Sequence, residues 1–182
     1  MKSVAILLAP GFEEIEFSAP LDILRRLQFN VVTVGIGGLN IEGTHGLVVV
    51  ADTTLDSFTP HDFDAIILPG GPGAWILRDN ATVIQHIIDM YHEHRLIAAI
   101  CAAPIALARA GIVKGKDITA YPAQEILDAL VEANITGKPV SVDGNIITGF
   151  GPGAAMAFGY AIGEYLGKDE DVATLKKAMM YY

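Results

Sequence analysis

Leu96-Ile97-Ala98-Ala99-Ile100-Cys101-Ala102-Ala103-Pro104 decides how this chain reads. The apolar run over 96–100 is short enough for a buried strand. The Ala-rich segment over 102–110 has the composition of a helix that Gly111 stops. Cys101 stands at the junction. A residue there is held on a sharp turn at the carboxyl end of a sheet, where open α/β folds place their ligands. Ala99, Ala102 and Ala103 leave room for that turn. Free N–H groups and the positive end of a following helix stabilise a thiolate, so the position predicts a cysteine of low pKa. The plainer alternative is a small buried hydrophobe.

Outward from this stretch, strand-like and helix-like segments alternate. Residues 64–68 form a second buried strand that stops at Pro69-Gly70-Gly71-Pro72-Gly73. Toward the N-terminus come a strand over 3–9 and a helix over 15–27, with Ile15, Ala19, Ile23 and Leu27 at helical spacing. A β-branched strand over 31–36 ends in Gly37-Gly38, and 45–51 reads as an added strand or hairpin arm. Asn80 is placed to cap a helix running to about Glu93. Downstream, a strand lies near 117–120 and a helix near 123–132. Two runs, 140–142 and 146–148, flank the hairpin signal Asp143-Gly144-Asn145. Pro152 or Gly153 opens a helix to about Leu166, and 169–179 forms a terminal helix. No linker or repeat interrupts the order. The pattern predicts one α/β domain over 1–182 with a mostly parallel sheet covered on both faces.

Composition excludes several classes. Hydrophobic residues make up 52% of the 182, which excludes disorder. The longest apolar stretch, 96–108, is broken by Pro104 and falls short of the roughly 18 residues that read as a membrane span. Twelve basic against 21 acidic residues leave a net charge of −9, which disfavours nucleic acid and anionic membranes as partners. The early apolar run over 4–9 is too short for a secretory leader, so the cytoplasm is the expected compartment. A single cysteine rules out an intrachain disulfide and a cysteine-cluster metal site.

Other candidates gather around Cys101. The glycines at 70–71 allow backbone N–H groups to face a ligand or oxyanion, although a tight turn explains them as well. No Gly-Lys-Ser/Thr follows, so this is not a P-loop. The Gly149 to Ala154 segment matches G-x-G-x-x-A, but it comes too late for a dinucleotide-binding unit. Glu13 and Glu14 read as dipole partners or solvated charges. Glu16 differs, because Ile15 and Phe17 flank it. Turned inward, it would have its pKa raised by burial and keep a proton to offer a cysteine thiolate. His86, His92 and His94 share a predicted helix without i, i+4 spacing, so they read as solvated residues and no metal site is expected. His61 carries no signal, and His45 is placed to turn toward the ligand edge of the sheet. No histidine neighbours Cys101 in sequence. Trp75 reads as a packing residue or interface anchor, and together the apolar Trp75, Phe150 and Met156 read as either a dimer face or a pocket rim.

Four segments together carry a resemblance that spans almost the whole chain. They are Val4-Ala5-Ile6-Leu7-Leu8-Ala9-Pro10-Gly11-Phe12-Glu13-Glu14-Ile15-Glu16, Asp64-Ala65-Ile66-Ile67-Leu68-Pro69-Gly70-Gly71, Ile97-Ala98-Ala99-Ile100-Cys101-Ala102-Ala103-Pro104 and Gly151-Pro152-Gly153. In that order the chain resembles the ThiJ/PfpI family of the class I glutamine amidotransferase-like superfamily. It is most similar to the branch holding the Parkinson-disease-associated protein and bacterial YajL. The resemblance implies a flavodoxin-like three-layer αβα sandwich, usually a homodimer, with a reactive cysteine on a nucleophile elbow. By motif position the nucleophile is Cys101 and its protonated carboxyl partner is Glu16. Gly70, Gly71 and Ala102 form the oxyanion or anion pocket, with His45 and Tyr121 as substrate contacts.

Departures from the pattern bear on chemistry. PfpI-type peptidases carry His directly after the nucleophile, whereas Ala102 stands here, which argues against an intracellular peptidase or amidase. Tyr121-Pro122 replaces a common His-Pro. A tyrosine can orient a carbonyl but shuttles protons poorly near neutrality. Phe150 and His45 stand where arginines are common, which implies a weaker preference for anionic ligands.

Two functions follow as expectations. The first is a cofactor-independent enzyme in which Cys101 adds to a small 2-oxoaldehyde, or to its early adduct on a glycated protein, as methylglyoxal converts to lactate without glutathione. The second is a non-enzymatic redox sensor or chaperone-like stress protein, in which Cys101 oxidises to a sulfinate held by the same groups.

Overall fold

The structure is a computed structural model that describes residues 1–181. Tyr182, the end of the expected domain, lies outside the described residues. Strand β1 (Ser3–Leu8) is fully buried from Val4 onward, as a strand covered on both faces must be. Then come α1 (Glu14–Arg26), β2 (Asn30–Gly35), the short β3 (Asn40–Glu42) and β4 (Val48–Val50), and β5 (Thr53–Thr54). Strand β6 (Ala65–Leu68), helices α2 (Gly73–Asp79) and α3 (Ala81–His92), β7 (Leu96–Ile100) and α4 (Pro104–Arg109) form the centre of the chain. The remainder is β8 (Asp117–Ile118), α5 (Gln124–Ala129), β9 (Asn134–Ile135), β10 (Val140–Asp143), β11 (Ile146–Gly149), α6 (Ala155–Tyr165) and α7 (Asp169–Ala178).

Seven strands form one sheet in the order β10-β11-β7-β6-β1-β2-β5, parallel except for the β10–β11 hairpin. Helix α1 packs on α6 and α6 on α7, while α2 packs against α3 and α4. These groups are the outer layers of a flavodoxin-like αβα sandwich. The chain winds from β1 to β2 on one side and then returns to β6 on the other. That reversal opens a crevice beyond the carboxyl ends of β1 and β6, the place where such sheets hold ligands. Every residue of β6 and β7 is buried, and Ala98 and Ala99 let the helical layers approach β7 closely.

Several expectations shift by local physics. The inward face of α1 carries Glu16, Phe17, Pro20, Ile23 and Leu24, whereas Ile15 is 53% exposed. Ile23 and Leu27 of the expected stripe are buried and Ala19 packs on the core, so only its first position departs, with the acid Glu16 in the core instead. The sequence pattern gives no sign of helix α2, because Pro69 to Gly73 masks its start. The segment near 117–120 contributes only β8, which pairs with β9 in a separate two-stranded sheet. The 45–51 segment yields β4 as the arm of a β3–β4 hairpin. Asn80 does cap α3: its side chain accepts hydrogen bonds from the Thr82 and Val83 amides at 3.0 and 3.1 Å, a cap worth about 1 kcal/mol. His94 lies beyond the end of α3, and the half-buried His86 ring packs edge-on against Phe58 rather than standing in solvent.

Candidate active site

Cys101 follows the last residue of β7 with φ at +63°. A left-handed backbone costs a residue with a side chain about 1–2 kcal/mol, and such outliers persist where the surroundings enforce them. Three hydrogen bonds hold the elbow. Cys101 N–H donates to Gly149 O at 2.9 Å, Tyr121 N–H donates to Cys101 O at 2.9 Å, and Ala103 N–H donates to Ile100 O at 3.0 Å. Helix α4 starts only at Pro104, after a turn over 101–103. The sulfur therefore faces single amides rather than the open end of a helix. Those amides belong to Gly71 and Ala102, and both favour the thiolate.

Glu16 reaches the same sulfur from the first turn of α1 and has no exposed surface. Its Oε2 accepts a hydrogen bond from Gly70 N–H at 2.8 Å, while Oε1 is buried without a hydrogen-bond partner among the described residues. A carboxylate with an unpartnered buried oxygen is costly, so the site favours the acid. Burial pushes the Glu16 pKa up to about 7, against the pull of Cys101 and Gly70 hydrogen bonds.

The thiol does not have the low pKa that its position predicted. Burial, followed by the charge of Glu16, pushes it up to about 12, and the Gly71 and Ala102 amides only partly oppose this. The carboxylate's contribution disappears once Glu16 is protonated, and the same contact then becomes a proton donor to sulfur. The two groups thus form a coupled pair in which the proton of one governs the other.

Gly70 and Gly71 do different jobs. Gly70 N–H is occupied by Glu16, so Gly70 positions the acid and leaves the anion-facing amides to Gly71 and Ala102. A Cβ on Gly70 would lie 2.6 Å from Glu16 Oε2, 2.7 Å from Cys101 Cβ and 2.9 Å from Ile100 O. All three belong to a packed core. Gly70→Ala is expected to cost about 1–3 kcal/mol of stability, read as a lower denaturant midpoint. It should also lower any turnover by about 10²-fold through misplacement of the acid. A midpoint within error of the wild type would contradict this packing account.

Cys101, only 8% exposed, opens into a cavity of about 330 Å³ walled in part by Trp75, Tyr121, Ile126 and Pro152. Its charged lining residues are Glu13 and Glu125, both acidic, and neither was assigned to the site from sequence. They come from separate elements, so only the tertiary fold brings them together. Tyr121 is brought to the cavity; His45 is not. The His45 ring is exposed, and its Nδ1 lies 2.8 Å from Glu14 Oε2 and 3.9 Å from Glu13 Oε1. Glu13, Glu14 and His45 also bring three metal-type donor atoms within 4.8 Å of one another. The Glu14–His45 pair already accounts for that arrangement, since Glu14 also accepts from His45 N–H at 2.6 Å. Phe150 lines a neighbouring cavity, and Met156 packs against the core.

Comparison with known proteins reaches across the chain. The model of the DJ-1/PfpI family matches residues 2–165. The Drosophila melanogaster protein dj-1beta is 35% identical over 98% of this chain and 97% of its own length. Its crystal structure superposes with a TM-score of 0.92 over 100% of this chain and 98% of that one. A Pyrococcus abyssi protein named a deglycase is 32% identical over 85% of this chain and 93% of its own length. A structure of Toxoplasma gondii DJ-1, described as oxidized, has 29% identity and a TM-score of 0.91, covering 100% of this chain and 99% of that one.

Proposed function

The chain belongs to the DJ-1/PfpI family, and from that premise we propose that it converts small, neutral 2-oxoaldehydes to 2-hydroxy acids through covalent catalysis by Cys101, with no cofactor. One observation carries the proposal: a lone sulfur is held between two backbone amides and a buried carboxyl group whose pKa is raised to about 7. The acidic lining by Glu13 and Glu125 favours an uncharged substrate over an anionic one. The naming of the Pyrococcus relative as a deglycase supports carbonyl chemistry of this kind.

The reaction begins from the state in which Cys101 and Glu16 hold one proton between them. The sulfur bonds to the aldehyde carbon as a thiolate while Glu16 delivers that proton to the carbonyl oxygen, giving a hemithioacetal and leaving Glu16 ionised. Gly71 and Ala102 amides stabilise the negative charge that develops on that oxygen. Glu16, now ionised, removes the hydrogen on the former aldehyde carbon as a proton and returns it to the neighbouring carbon, while the hydroxyl proton of the hemithioacetal passes to the former ketone oxygen. The aldehyde carbon is thereby oxidised by two electrons and the ketone carbon reduced by two, so no outside oxidant or reductant enters. Water then cleaves the thioester, releasing the 2-hydroxy acid and the thiol. Lactate should therefore form from methylglyoxal without glutathione. A wild-type protein that yields no lactate while Cys101 still alkylates would overturn the proposal.

The redox reading has its own support in the oxidized Toxoplasma relative. In that account peroxide oxidises Cys101 to a sulfinate, which accepts hydrogen bonds from the Gly71 and Ala102 amides and from protonated Glu16. Peroxide-dependent sulfinate at Cys101, together with a change in dimer stability or client binding, is its signature. A cytoplasmic homodimer belongs to either account. The outward Val48 and Val50 of β4, 57% and 69% exposed, are apolar surface suited to a second copy.

A further inference from the structure

We infer that the preferred substrate is a 2-oxoaldehyde bearing an aromatic or bulky apolar group, which lies in a second cavity beside that of Cys101. The inference rests on the carbonyl chemistry proposed above and adds the substrate class. The second cavity measures about 430 Å³ and lies among Tyr121, Phe150, Pro152, Pro139 and Ala154. Tyr121 and Pro152 line the Cys101 cavity as well, so the two spaces adjoin across these side chains. Among the described residues, no charged one lines the second cavity.

Size and rigidity both favour an aromatic occupant. An enclosed apolar cavity of about 150 Å³ is enough to take up benzene, so this space is ample for a phenyl ring. Its walls are tied to the reacting centre. Tyr121 N–H donates to Cys101 O at 2.9 Å, and Phe150 N–H donates to Pro139 O at 3.0 Å. Gly151 lies beside the Tyr121 ring, where a Cβ would sit 3.4 Å from Tyr121 Cδ2. Tyr121 and Phe150 are 46% and 37% exposed, which leaves aromatic surface to be covered by a ligand. The methyl group of methylglyoxal is too small to fill both spaces and leaves that surface to water. A phenyl group attached to the ketone carbon extends from the Cys101 cavity across Tyr121 and Pro152.

The test compares phenylglyoxal with methylglyoxal, and wild type with Phe150→Ala. Wild type should favour phenylglyoxal by about tenfold or more in kcat/KM, and Phe150→Ala should bring that ratio down toward one. Phe150→Leu, which keeps apolar bulk, should fall between the two, and unchanged circular dichroism shows that the variants fold. A wild-type ratio near one, or a ratio indifferent to Phe150→Ala, would overturn the inference.

A second arm works without turnover. Bromide is displaced from 2-bromoacetophenone or bromoacetone by the sole cysteine, forming a thioether, and each rate is normalised to that of glutathione. A preference of about tenfold for the aromatic reagent, lost in Phe150→Ala, supports the subsite even if neither aldehyde is turned over. In that case the proposed reaction fails and the subsite stands. Equal normalised rates with inactive aldehydes overturn both.

Discussion

Cys101→Ser is expected to lose at least about 10³-fold in conversion of methylglyoxal to lactate, because the proposed reaction passes through a bond to that sulfur. Serine keeps the elbow, and its small side chain fits the same turn. Its hydroxyl is a far weaker acid than a thiol, however, and the burial that already pushes Cys101 up to about 12 would push an alkoxide further out of reach. Fold and stability should change little, so melting curves serve as the control. The variant also removes the only thiol of the chain, and alkylation should vanish with activity. Lactate production retained within about tenfold of wild type would mean that the sulfur is not the nucleophile.

Glu16→Gln should lower turnover by about 10²–10⁴-fold, the ordinary range for loss of a positioned acid or base. The amide oxygen still accepts from Gly70 N–H and the amide nitrogen still donates toward sulfur, yet no proton can be passed on. A second effect distinguishes titration at Glu16 from mere packing. In the fold Glu16 keeps its proton up to about pH 7, against an ordinary value of 4.5. Between those values the native state binds more protons than the unfolded chain, so stability falls as pH rises through that window. Below pH 4.5 both states are protonated and the penalty is absent. Above pH 7 it is complete, on the order of 3 kcal/mol. Glutamine does not titrate, so unfolding free energy in Glu16→Gln should lack this decline between pH 4.5 and 7. A decline of equal size in wild type and variant would place the titrating group elsewhere.

Much of this architecture was legible in the sequence because buried parallel strands read as short apolar runs. The 64–68 and 96–100 runs did so without ambiguity, and Cys101 stood out because it follows the second run directly and precedes an Ala-rich segment. Glu16 was legible for a similar reason, as an acid between Ile15 and Phe17. The face it occupies was not. Periodicity placed Ile15 inward, but the fold turns Ile15 to solvent and keeps Glu16 in the core.

What escaped the sequence depends on long-range contact. The low thiol pKa expected at a strand–helix junction ignored burial and a carboxylate that lies 85 positions earlier in the chain, and these outweigh the two amides. Glu13 and Glu125 reach the cavity from different elements, so no local pattern could join them. His45 was placed at the ligand edge, yet Glu14 binds it first on the outer side. By its place in the glycine turn Gly70 reads as an oxyanion donor, but in the fold its N–H donates to Glu16.

The most direct measurement is intact-mass analysis of the wild type, quenched at intervals during turnover of methylglyoxal. The account predicts one adduct of substrate composition on Cys101 that rises before lactate, decays as lactate is released, and is absent from Cys101→Ser. Lactate that accumulates with no adduct at any interval, or an adduct that persists without releasing lactate, would contradict it.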